Sequence, residues 1–210
     1  MPPVLLTLGG RRHDLTTRAL VVGIVDDSGV ERACRRAEAL VAAGADVVEV
    51  ADEQGDAPVV TAVVACAGVP VCVATSSPDV AADAYRAGAV MGRVSGGTGI
   101  AIAAGAVVVA GVEGVAEARR AGVPDDRIVL GVSLDLRKSS PSPAELLDGH
   151  GRLAAVGVPL MLSVVHAEGA GREAAAQAVA LGSGFRLLRS HDTGAARRVR
   201  DTIAAVLEAV

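Results

Sequence analysis

Aromatic side chains are almost missing from this chain of 210 residues: there is no tryptophan, one tyrosine (Tyr85) and one phenylalanine (Phe185). That removes the stacking platforms on which single-stranded nucleic acid is held, and a flat heterocycle cannot be sandwiched between rings. Cysteine is scarce as well. Cys34, Cys66 and Cys72 are odd in number, lack metal-ligand spacing and have no histidine beside them, so buried free thiols are expected. No uninterrupted apolar run reaches the roughly 18 residues that a spanning helix needs. The N-terminus carries no basic stretch ahead of its apolar residues, as a secretory signal would. Nor is there an excess of basic charge: a net charge of -4 and a pI near 5.6 give no broad attraction to nucleic acid or anionic membrane. These absences predict a cytoplasmic protein that takes neither nucleic acid nor membrane as a partner.

What is present is apolar. A hydrophobic fraction of 51% and a mean hydropathy of +0.45 supply core enough for one well-buried domain spanning residues 1–210. Apolar β-branched runs recur at 20–25, 46–50, 70–75, 90–95, 106–110, 128–133, 159–165 and 185–190. Runs apolar on both faces, such as Pro159-Leu-Met-Leu-Ser-Val-Val165, suit a parallel sheet covered by helices. Between them lie Ala-rich amphipathic segments, for example 30–43, 77–87 and 112–121, closed by glycine or Gly-Val-Pro as helix ends are. Eight β-then-α units predict an α/β fold, a (β/α)8 TIM barrel with shortened loops; an open doubly wound sheet is the competing architecture. Residues 4–8 and 13–15, joined by Gly9-Gly10-Arg11-Arg12, are expected to form a hairpin under the barrel floor. The stretch Lys138-Ser-Ser-Pro-Ser-Pro143 reads as a loop at the C-terminal mouth.

In such a barrel, binding and catalysis belong at the C-terminal ends of the strands. The first ends in Asp26-Asp27, two carboxylates competent to hold a hard cation such as Mg²⁺, Asp26 above all; capping the next helix from solvent is the plainer role. The second runs into Glu53, the fourth ends in Gly92-Arg93, and the sixth is followed by Lys138. Arg93 introduces a cation that favours an anion or a salt bridge to Asp52 or Glu53. The eighth ends in Arg189-Ser-His191-Asp192 just before a helix, and an arginine, a histidine and a helix N-terminus together suit an anion. In the alternative reading, Arg189 pairs with an acid, Asp192 caps the helix and His191 is merely exposed. His13, His150 and His166 are scattered, and there is no Ser-His-Asp order, Cys/His metal spacing or complete phosphate loop.

Several of these segments resemble the dihydropteroate synthases. Gly44-Ala-Asp-Val-Val-Glu49-Val-Ala-Asp-Glu53 is similar to that family's Gly-Ala-Asp-Ile-Ile-Asp-Val-Gly-Gly-Glu, and Arg189-Ser-His191-Asp192 to its Arg-Val-His-Asp. Pro70 to Gly97 resembles its third and fourth strand-helix units. The resemblance implies a TIM barrel, a pterin and diphosphate pocket, Mg²⁺ near Asp26, dimers and a place in folate biosynthesis. The chain departs from it at the strand ends. Ala74 stands for an Asp, Gly92-Arg93 for Asn-Asp and Gly131 for the Asp that grips the pterin ring; the strand-seven lysine has no counterpart, and the mobile loop after strand one is missing. Since each charge-assisted hydrogen bond is worth about 1.5–3 kcal/mol, losing several disfavours pterin strongly. The expectation is a dihydropteroate synthase-like pseudoenzyme with no catalytic residue, binding at most a small phosphorylated or anionic ligand through Arg189, His191, Lys138, Asp26, Glu53 and Arg93. Two alternatives stand beside it: a non-catalytic partner in a homodimer or a heteromer with a synthase, and an active synthase with a rebuilt pocket.

Overall fold

The computed structural model describes residues 3–51, 57–94, 105–137, 153–165 and 170–209. An N-terminal hairpin, β1 (Leu5–Leu8) and β2 (Arg11–Asp14), precedes eight parallel strands. These are β3 (Leu20–Val25), β4 (Val47–Ala51), β5 (Val71–Thr75), β6 (Met91–Val94), β7 (Ala106–Ala110), β8 (Ile128–Asp135), β9 (Leu160–Val165) and β10 (Leu187–Ser190). They close in chain order, β10 pairing with both β9 and β3. The expected α/β barrel is therefore the observed one. Six helices are described: α1 (Val30–Ala43), α2 (Ala57–Cys66), α3 (Pro78–Ala87), α4 (Gly111–Arg120), α5 (Ala170–Gly182) and α6 (Thr193–Glu208). Among the described residues, none is long and apolar enough to cross a membrane.

The hairpin turns more tightly than expected. Gly9 and Gly10 both have positive φ (55° and 78°), which any side chain bearing a Cβ resists, so they alone form the turn. Arg11 and Arg12 are thereby drawn into β2, opposite Leu8 and Thr7. Leu6 and Leu8 pack beneath the barrel with Leu20, Val22, Val47, Met91 and Leu187. The floor is closed by apolar side chains, which leaves the C-terminal end as the mouth.

Local signals place the helices around it. Ser77 accepts from the Val80 N–H at 3.4 Å with Pro78 at the first helical turn, starting α3. Asp192 accepts from the Ala195 N–H at 2.9 Å and starts α6. Asp46 joins three elements: its Oδ2 accepts from the Val21 N–H (2.8 Å) and from Nη1 of the buried Arg200 of α6 (2.6 Å). With so few aromatics, the layers between strands and helices are filled by valine, alanine and leucine. All three cysteines are free, as expected; Cys72 is buried, whereas Cys34 and Cys66 are only half-buried between α1 and α2.

Candidate functional site

Strand alternation sends every second side chain inward. The register aligns Glu49 with Cys72 and Ile24, Arg93 with Ala74, and Arg189 with Val22 and Ser163 on the inner side. Glu49 is fully buried (0% exposed), a charged residue inside a strand of valines. Its Oε1 accepts from Arg189 Nε (2.8 Å) and Nη2 (2.6 Å), and from Arg93 Nη2 at 3.3 Å. Its Oε2 faces the Cys72 thiol at 3.9 Å. Burial works to raise the Glu49 carboxyl, but Arg189 and then Arg93 hold it below the usual carboxylate range. Burial first, and the Glu49 charge second, push the Cys72 thiol well above its ordinary value, so it remains protonated.

Among the described residues Arg93 pairs with Glu49; its expected partners Asp52 and Glu53 lie outside them, as do Lys138, His150, His166 and the loop 138–143. Arg189 points into the barrel, whereas His191 is at the rim, its Nε2 3.4 Å from Asp26 Oδ2 with both side chains largely exposed. Asp192 serves as the α6 cap. The corner between β10 and α6 holds a carboxylate of the chain itself: Ser190 Oγ donates to Glu173 Oε1 at 2.7 Å. Among the described residues, no three His, Cys, Asp or Glu side chains group as metal ligands would. Sequence reasoning passed over Glu49 as a site residue, although a glutamate amid Val47, Val48 and Val50 signalled a buried charge that must be paired.

Two glycines at the strand ends differ in kind. Gly131 faces inward, and a Cβ there would meet Val108 Cγ1 tightly at 3.1 Å, with the Val109 carbonyl oxygen at 3.5 Å and Met161 Cε at 3.8 Å in ordinary contact. Gly92 faces outward toward α3, in register with Val73 and Val107. A Cβ on it would overlap the Tyr85 hydroxyl oxygen and come within 3.0 Å of Tyr85 Cζ. Tyr85 uses that space to donate to the Ala106 carbonyl at 3.2 Å, and burial raises its pKa. Gly92 is therefore a packing requirement of the one tyrosine. Gly92→Ala is expected to cost about 1–3 kcal/mol in urea unfolding, and a loss under 0.5 kcal/mol would contradict that role.

A closed eight-stranded parallel barrel, plugged below by a hairpin and carrying buried charges toward its C-terminal mouth, defines a (β/α)8-barrel protein, a class in which sites are built at the C-terminal strand ends. Its fold is that of the dihydropteroate synthases. The Xanthomonas albilineans dihydropteroate synthase in complex with 7,8-dihydropteroate superposes with a TM-score of 0.81 at 25% identity, over 98% of this chain and 99% of that one. The Yersinia pestis enzyme with a pterine-sulfa conjugate gives 0.83 at 18% identity, over 98% and 100%. That of Coxiella burnetii with pteroic acid gives 0.81 at 18%, over 99% and 100%. No protein-family model and no curated protein matches the chain.

Proposed function

We propose that this dihydropteroate synthase-like barrel no longer condenses pterin with p-aminobenzoate and instead binds a small phosphorylated or otherwise anionic ligand at its mouth. One observation carries the reading: two guanidinium groups, Arg93 and Arg189, converge on the single oxygen Glu49 Oε1. The group as a whole retains one unit of positive charge. Arg189 is nearly enclosed, while the Arg93 side chain is 39% exposed overall and its Nε is buried with no hydrogen-bond partner among the described residues. An anion entering from the mouth supplies both the missing charge and the missing acceptor.

The loss of pterin chemistry rests on a different feature. The position of the ring-gripping Asp is Gly131, which offers no carboxylate, and Val108 Cγ1 stands 3.1 Å from where its Cβ would lie. Restoring a side chain there would require Val108 to give by a few tenths of an ångström. Glu173 already occupies the β10–α6 corner beside Ser190, so the ligand set proposed is Arg93 and Arg189, with His191 at the rim.

Calorimetric titration with phosphate, diphosphate and a pterin diphosphate tests the binding. Phosphate or diphosphate is expected to bind, more weakly as salt rises, and the pterin moiety to add no affinity. Incubation of the protein at high concentration with p-aminobenzoate and the pterin diphosphate is expected to yield no condensation product. Detectable turnover, or failure of every anion to bind, would overturn the proposal.

A further inference from the structure

Beneath the barrel, on the face opposite the mouth, lies a cavity of about 450 Å³, within the usual range for small-molecule sites. Its wall is apolar, formed by Val4, Leu5, Leu160 and Leu181 among others. Set into this wall are Arg186, which is 8% exposed, and Ser183, which is 5% exposed. Arg186 Nη1 donates to the carbonyls of Leu181 (3.1 Å) and Phe185 (2.8 Å), closing the end of α5. Its Nε and the Ser183 Oγ are buried without a hydrogen-bond partner, and no acidic side chain pairs with Arg186 among the described residues. Burial alone pulls the Arg186 pKa below the usual arginine value. A cation so enclosed is costly unless an anion compensates it.

The acids that face the same cavity limit what that anion is. Asp125 is engaged by Arg119 Nε (2.7 Å) and Nη2 (3.0 Å), whereas among the described residues Asp126 accepts only from the neutral Thr7 hydroxyl at 2.9 Å. A dianion such as phosphate would be repelled by Asp126; a single carboxylate on an apolar body matches one guanidinium, one hydroxyl and a hydrocarbon wall. We infer that this cavity is a second binding site, for a small monocarboxylate with an apolar body, whose carboxylate is held by Arg186 and Ser183. The site stands apart from the mouth, and its ligand differs in chemistry from the one proposed there.

Hexanoate, titrated into the ¹⁵N-labelled full chain, is expected to shift the Ser183 and Gly184 amide resonances, with hexanamide at least tenfold weaker and inorganic phosphate without effect on them. A charged hydrogen bond of about 1.5–3 kcal/mol corresponds to roughly 10–150-fold in affinity, so Arg186→Met should bring hexanoate down to the level of hexanamide. Arg186→Lys should retain part of the preference. Equal binding of acid and amide to the wild-type chain would overturn the inference, leaving an apolar hollow with a helix-capping arginine. So would shifts confined to the mouth, or hexanoate binding unchanged in Arg186→Met. Should Arg186→Met not fold, the acid-against-amide comparison on the wild-type protein still decides.

Discussion

Glu49→Gln is expected to remove about 3–5 kcal/mol of stability, a large fraction of the roughly 5–15 kcal/mol that holds a domain folded. The substitution keeps the shape of the side chain and deletes only its charge. Arg189, nearly enclosed, is then left in the barrel with Arg93 beside it and no counter-charge among the described residues, which is the costly way to break a buried pair. Urea unfolding at pH 7 measures the effect, and a loss below 1 kcal/mol would show that water or another acid already shields the two guanidiniums. The pH dependence follows from the sign of the shift. The Glu49 carboxyl is held below its unfolded value of about 4.3, so its contribution is complete above that pH and drains away as the pH falls through the lower folded pKa. The gap between the wild type and Glu49→Gln should therefore be constant from pH 5 to 7 and narrow in stronger acid. A gap that widens on acidification would contradict the ion-pair account.

The double substitution Glu49→Leu with Arg189→Met should recover much of the loss, because replacing a buried ion pair by apolar groups of similar volume is often close to neutral, whereas removing one partner is not. Arg93 has a route to water that Arg189 lacks, which is why the recovery does not require its removal.

This charge group also marks where the sequence was legible and where it was not. The barrel was readable because its strands are apolar on both faces and its helices end at glycine, both of which are local and periodic signals. The hairpin is readable in kind, but not the length of its turn, since nothing in Gly9-Gly10-Arg11-Arg12 says that two glycines alone suffice to reverse the chain and leave Arg11 and Arg12 to the strand. The partner of Arg93 was not readable. Glu49 and Arg189 are 140 residues apart and Glu49 and Arg93 are 44 apart; closure of the barrel brings all three inward at similar depth, and only the register decides it. The same holds for Gly92. Read along the chain it is a missing side chain at a strand end, and only the inward-outward alternation reveals that its empty side belongs to Tyr85 and the helix layer. Arg186 is a third case: an arginine one residue before a strand gives no sign that it will be enclosed beside the end of α5.

Of the two arginines at the mouth, Arg93 is the one whose removal reports on ligand binding rather than on folding. Arg189→Ala would strip Glu49 of two short hydrogen bonds and leave a buried carboxylate held only by the longer contact to Arg93, so a loss of binding there would be confounded with damage to the barrel. Arg93→Ala leaves the Arg189–Glu49 pair in place and removes a partly exposed side chain at 3.3 Å, an interaction worth at most about 1 kcal/mol to stability. For an anion at the mouth the consequence is much larger. The variant brings Arg189 and Glu49 to exact charge balance and removes the unpartnered Nε, so phosphate or diphosphate should bind about 10–150-fold more weakly, while Arg93→Lys, a compact cation without the planar fork, should fall between. Isothermal titration at fixed ionic strength, with circular dichroism to show that the fold is kept, gives the comparison. An affinity within twofold of the wild type in a folded Arg93→Ala chain would mean that the anion sits elsewhere on the barrel, and the surplus positive charge of the two arginines around Glu49 would then serve the packing of the interior alone.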